Sequence, residues 1–244
     1  MAGRHFAHPD SDVAVVVAHG FGGSIRRPGL LAVATALSSY AGVLAFDFRG
    51  HGSSSGRTTM GDREVLDVDA AVAAARDLGY RRVVTCGWSM GGSTVLRHAA
   101  MHGAGVLQPV DAVVSVSAAS RWYVRDTVPM RRLHWLVERR TGRLVTRLAL
   151  GTRVASGWDV VPESPVEVVR RIAPTPLLLV HGDQDGYFPV EHPQALAAAA
   201  GEPTELWLVE GFGHAEAAAS PELLARIGRH LEVLLGRAVG AGTA

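Results

Sequence analysis

The chain contains no lysine and no asparagine, and all 24 of its basic residues are arginine. Without lysine there is no Schiff base to a carbonyl substrate or to pyridoxal phosphate, and no phosphate-binding loop ending in lysine. Without asparagine there is no acceptor for N-glycosylation. Both residues have AT-rich codons, so a GC-rich genome accounts for the two absences together. Cysteine is almost as scarce: Cys86 stands alone and cannot form an internal disulfide. Neither charge is in excess, since 24 basic residues face 23 acidic ones, and this balance argues against a nucleic-acid binder. Long apolar runs are also missing. The first, residues 13–18, has six residues, far short of the ~20 that cross a bilayer. Residues 1–12 hold no apolar signal core, so a soluble cytoplasmic protein is expected.

What is present is ordinary globular material. The 244 residues are 48% apolar and 19% charged, enough to bury a core without disulfides or metal. A chain of this length commonly folds as one α/β domain. Short apolar runs at 13–18, 43–48, 82–86, 112–116, 177–180 and 205–209 read as strands covered on both faces. Helical patterns lie between them. Residues 61–78 place Val65, Val68, Val72 and Ala75 on one stripe, with Thr59 as the expected cap. Ser220-Pro221 opens a final helix with Leu223, Leu224, Ile227 and Leu231 on one side. This alternation predicts a doubly wound, mostly parallel α/β sheet.

One region breaks the rhythm. Residues 118–175 carry no strand signal but include a helix-like stretch, 131–150, and a short helix opening at Ser164-Pro165. Such a length exceeds a normal crossover. We expect a single domain whose core is residues 1–117 and 176–244, with 118–175 inserted as a helical lid.

Chemistry enters at Gly87-Trp88-Ser89-Met90-Gly91-Gly92, between the run 82–86 and a helical pattern through Val95, Ala99 and His102. A G-x-S-x-G between strand and helix is the context of a nucleophile elbow, a strained turn that exposes the serine hydroxyl. Gly87 and Gly91 are needed there because a Cβ would meet neighbouring backbone. A serine hydroxyl attacks only if a base takes its proton and an acid orients that base. In this architecture the acid follows a late strand and the histidine comes last. Asp183 and Asp185 both lie in the loop after 177–180, and His214 lies in the loop after 205–209.

By these motifs the chain resembles the α/β-hydrolases, from Val13 to the final helix. The resemblance rests on His19-Gly20-Phe21-Gly22-Gly23, on Asp47-Phe48-Arg49-Gly50-His51-Gly52-Ser53, on the elbow, on the loop His181-Gly182-Asp183-Gln184-Asp185 and on Gly213-His214. It implies Ser89 as nucleophile, Asp185 as acid, His214 as base, and the backbone N–H groups of Phe21 and Met90 as oxyanion donors. Asp183 then closes its turn. Within the superfamily the chain is similar to small bacterial esterases and serine aminopeptidase-like hydrolases. Related epoxide hydrolases and dehalogenases carry aspartate at the elbow, and dienelactone hydrolases cysteine. Serine therefore implies acyl transfer to a small-molecule acyl substrate, by default an ester. Thioesterase, peptidase, cofactor-free haloperoxidase and ligand-binding relatives share the same residues. The family's first strand pair is expected to be truncated here, with residues 4–8 supplying at most one edge strand.

The remaining candidates have plainer expectations. Eleven histidines invite a metal, but no H-E-x-x-H pair or cysteine cluster occurs, so neither metal nor cofactor is expected. His19, His51 and His181 should be structural hydrogen-bonders, and His98, His102 and His230 surface or satisfied core residues. Cys86 should be a packing residue. Residues 118–175 hold eleven arginines against five acids, with Trp122, Tyr123, Trp135 and Trp158. The expectation is an aromatic cleft with a cationic rim of Arg125, Arg131 and Arg132, around a hinge at Pro129.

Overall fold

The structure is a computed structural model and describes residues 1–102 and 107–241, the side chains of His102 and of residues 237–241 excepted. The six expected strands are all present: β2 (Val13–Ala18), β3 (Gly42–Phe46), β4 (Arg82–Trp88), β5 (Ala112–Val116), β6 (Leu177–Gly182) and β7 (Thr204–Val209). They form one parallel sheet, and a short β1 (Gly3–Phe6) joins its edge antiparallel to β3. The order across the sheet is β1-β3-β2-β4-β5-β6-β7. A single antiparallel strand thus stands where the family resemblance led us to expect a truncated pair.

Why the strands read as unbroken apolar runs is visible on β2. Val13, Val15 and Val17 pack beneath α1 (Pro28–Leu37) and α9 (Pro221–Ala241), while Ala14, Val16 and Ala18 face the opposite core. Successive side chains of a strand point to opposite faces, so a sheet covered on both sides needs both sets apolar. That second core is closed by α2 (Glu64–Asp77), α3 (Met90–His102) and α7 (Glu191–Ala199). The helix expected over 61–78 begins only at Glu64, and Thr59 does not cap it. Instead the buried Glu64 carboxylate turns back to accept bonds from Thr58, Thr59 and Gly61, fixing that loop as non-helical.

Between β5 and β6 the expected single helix is two: α4 (Val128–Glu138) and α5 (Arg140–Leu150), broken at Arg139, whose backbone is extended. The two pack so closely that a Cβ on Gly142 would lie 2.2 Å from the Trp135 carbonyl. Pro129, expected at a hinge, occupies the first turn of α4, where its missing N–H costs no helical bond. A short α6 (Pro165–Val168) follows, opened by a capping box between Ser164 and Glu167. Val168, Val169 and Ile172 reach the core behind the sheet, so residues 165–172 pack with α3 and α7 rather than with α4–α5. The part that stands off the core is narrower than 118–175. No described helix is long and apolar enough to cross a membrane.

Candidate active site

Strand β4 delivers Ser89 at its C-terminal edge with φ +52°, a left-handed conformation that a non-glycine residue adopts only under constraint. The constraint is close packing on both sides. A Cβ on Gly87 would sit 2.2 Å from the Gly91 carbonyl oxygen, and one on Gly91 would sit 2.3 Å from that of Ala18. Ser89 N–H donates to Val116 O at 2.9 Å, tying the turn to β5.

Two loops from the same sheet edge meet this serine. His214 follows β7, and its Nε2 lies 2.9 Å from Ser89 Oγ. Its Nδ1 lies 2.8 Å from Asp185 Oδ2, in the loop after β6. With Nδ1–H donating to the carboxylate, Nε2 is left to accept from the serine hydroxyl. Asp185 is fixed in turn: Oδ1 accepts from the N–H groups of Tyr187 (2.8 Å) and Phe188 (3.0 Å). Burial alone would raise its pKa, but the His214 bond and charge together with those two N–H groups hold it below the ordinary carboxylate value. The ring of Tyr187 stacks on His214 at 4.2 Å.

Asp183 does something else. It is exposed and accepts from Gly211 N–H at 2.8 Å, which joins the two loops. The loops touch so closely that a Cβ on Gly182 would fall 1.9 Å from Phe212 O. His181 is buried beneath them and donates through Nε2 to Phe188 O (2.8 Å). Burial lowers its pKa, so it stays a neutral strut.

Across from the elbow runs the His19–Gly23 loop. Gly20 lies against Ser89: a Cβ there would be 3.3 Å from Ser89 Cβ. Burial and the neighbouring His51 push the His19 pKa down to about 3, so it is neutral. It donates through Nδ1 to Gly20 O (2.7 Å) and accepts from Phe48 N–H at Nε2 (3.1 Å). Asp47 reaches over from the next motif to accept from Ile25 N–H and Ser53 N–H. One residue escaped sequence reasoning altogether. Glu216, two positions after His214, is half-buried and accepts the Gly20 N–H at 3.1 Å. Burial raises its pKa. No motif marks it, because the contact joins residues 196 apart.

A cleft of about 250 Å³ opens above Ser89, with Phe21 and Met90 also on its wall. Met130, Leu133 and Val137 of α4 line one side, and Trp122, Tyr123 and Trp158 another. The indole N–H groups are spent on the framework, Trp122 donating to Pro162 O and Trp158 to Thr59 O, so their rings present apolar surface. Arg125, Arg131 and Arg132, expected as a rim, are not among the lining residues. Arg125 pairs with Glu138, and Arg131 folds onto the carbonyls of Arg125 and Asp126. Trp135, on the far side of α4, is half-exposed.

The other singled-out side chains are framework. His51 is buried with its pKa lowered to about 4, His98 is buried beside Asp69, and His230 bonds Glu205. The side chain of His102 lies outside the described residues. Burial pushes the Cys86 thiol up to about 12, which leaves it protonated and inert. Among the described residues, no group of three His, Cys, Asp or Glu side chains could hold a metal ion.

The profile of the alpha/beta hydrolase family matches residues 15–227, and the chain belongs to that family. Among curated proteins it is similar to the uncharacterized protein YfhR of Escherichia coli, 26% identical over 214 residues. The match takes in 85% of this chain and 65% of YfhR, so the chain spans about two-thirds of its relative's length. Among solved structures it is similar to the Pyrococcus furiosus esterase Pf2001, with 25% identity and a TM-score of 0.70 over 91% of this chain and 83% of that one. The alpha/beta hydrolase GrgF of Penicillium sp. sh18 shares the fold at 19% identity, with a TM-score of 0.72 over 97% and 94% of the two chains.

Proposed function

We propose that the protein is a serine hydrolase that cleaves a carboxylic ester through Ser89, His214 and Asp185 by way of an acyl-enzyme. The observation that carries this reading is the relay of two short contacts, 2.9 Å from Ser89 Oγ to His214 Nε2 and 2.8 Å from His214 Nδ1 to Asp185 Oδ2. In the acylation step His214 Nε2 takes the Ser89 proton as Oγ attacks the ester carbonyl. The charge that develops on the carbonyl oxygen is received by the backbone N–H groups of Phe21 and Met90, which flank Ser89 on the cleft wall. His214 then returns the proton to the departing alkoxide. Water, deprotonated by the same imidazole, releases the acid and restores Ser89. Glu216 is a positioning residue: by holding Gly20 N–H it fixes the loop that presents Phe21.

Ester is favoured over amide because an alkoxide leaves more readily than an amine. The apolar walls suit an apolar acyl or alcohol group, with α4–α5 acting as the lid over it. The likeness to the esterase Pf2001 points the same way. Steady turnover across a series of p-nitrophenyl acyl esters tests this reading. Release of one equivalent of nitrophenol without turnover would instead mark a slow or non-catalytic binding relative.

A further inference from the structure

Part of the cationic surplus of the inserted segment gathers away from the cleft above Ser89. Arg57, Arg143, Arg147 and Arg153 converge on a separate cavity of about 150 Å³ between α5 and the chain leaving it, closed by Leu144 and Val154. Among the described residues, no carboxylate lines this cavity and none forms an ion pair with any of the four. Elsewhere in the molecule Arg49, Arg76, Arg82, Arg121, Arg125 and Arg171 each take an acidic partner. Arg143 and Arg147 are four apart on one helix face, an arrangement that costs stability between like charges unless something neutralises them.

Backbone oxygens instead hold three of the guanidiniums, those of Arg57, Arg143 and Arg153, which fixes them without cancelling their charge. Arg143 donates to Val137 O (3.2 Å) and Glu138 O (2.9 Å), the last carbonyls of α4. Arg153 donates to Ser54 O, while its Nε is buried without a partner. Arg57 and Arg153 are themselves set by paired backbone: Thr58 N–H donates to Arg153 O (2.8 Å) and Arg153 N–H to Gly50 O (2.8 Å). Arginine forks in fixed positions match the tetrahedral oxygens and near-double charge of a phosphate better than a single carboxylate.

We propose that this four-arginine cavity is a binding site for a phosphate group, carried by a soluble phosphate or by a lipid headgroup. Val154 lines both this cavity and the cleft above Ser89, so the two share a wall. Exposed Leu144 and Leu148 beside the arginines are what a lipid headgroup's acyl chains would meet.

Titration calorimetry of the full chain with inorganic phosphate, at an ionic strength held constant with chloride, tests the site. The double variant Arg57→Gln/Arg147→Gln removes two exposed side chains, and its unchanged Tm without phosphate checks the fold; Arg147→Gln alone serves if it does not. We expect saturable one-to-one binding, weakened at least about tenfold by each guanidinium removed. If free phosphate gives no heat, co-flotation with vesicles containing phosphatidic acid but not with phosphatidylcholine alone, lost in the variant, assigns the phosphate to a lipid headgroup. Phosphate or vesicle binding that the double variant retains undiminished overturns the proposal, as does the absence of both.

Discussion

Asp185→Asn sets the acid of the proposed triad against its neighbour Asp183. The Asp185 side chain is fully buried and takes three bonds, all from donors: His214 Nδ1–H and the N–H groups of Tyr187 and Phe188. An amide offers only one oxygen. Turned to keep the two backbone N–H groups, it presents its NH₂ to His214 Nδ1, which must then become the acceptor. The ring is left with its proton on Nε2, where it can no longer take one from Ser89. This tautomer change costs ~10⁴-fold in turnover in serine hydrolases, or about 5 kcal/mol of transition-state stabilisation. Asp183→Asn keeps an oxygen for its single bond from Gly211 N–H at the surface, so activity should stay within about threefold of wild type. The assay is kcat/KM for p-nitrophenyl acetate, with Tm recorded for each variant. A larger loss in Asp183→Asn, or Asp185→Asn within tenfold of wild type, refutes the assignment of the acid.

Other outcomes follow from the same geometry. Because the base must be neutral while Asp185 stays ionised, kcat/KM should fall about tenfold per pH unit along its acid limb. Stability should fall on that side too. His19, His51 and His192 are buried, with pKa values lowered from 6.5 to about 3, 4 and 4. Between 6.5 and those values the unfolded chain binds more protons than the native one. Stability is thus lost as pH drops through this window, by about 1.4 kcal/mol per unit for each histidine, which Tm against pH would show. A pH-independent Tm from 6.5 to 4.5 contradicts that accounting. Gly87→Ala should abolish soluble, folded protein, since its Cβ would meet backbone at 2.2 Å; recovery of a native thermal transition would show that the elbow can relax. Glu216→Gln keeps an acceptor for Gly20 N–H and should retain most activity, whereas Glu216→Ala should lose about tenfold or more in kcat with little change in KM. Equal losses in the two variants would remove Glu216 from the positioning of that loop.

Much of this was legible because the strongest signals were local. The turn around Ser89 is written in two glycines, each excluding a Cβ that would strike backbone, and the six parallel strands in apolar runs that need no partner to be read. That Asp185 rather than Asp183 lies beside His214 was legible only through the family resemblance. What separates them physically is the burial of Asp185 and the direction of its side chain, neither of which spacing encodes. The break at Arg139 was hidden because residues on both sides form helix readily. Only Gly142, where α5 crosses α4, hints at it. Thr59 as a cap failed because Glu64, a good helix former, was drawn instead into the 58–61 loop. Glu216 and the destination of the arginines depend on contacts far apart in sequence, and charge counting alone gave a surplus without a location.

The central claim is that Ser89 is an activated nucleophile. Intact-mass measurement after incubation with a fluorophosphonate probe tests it directly, because the probe reacts with a serine only where a base has taken its proton. A single adduct is expected on the wild-type chain, with complete loss of labelling in Ser89→Ala at a preserved Tm and strongly slowed labelling in Asp185→Asn. Labelling of Ser89→Ala at the wild-type rate, or a wild type that turns over p-nitrophenyl esters yet never takes up the probe, would contradict it.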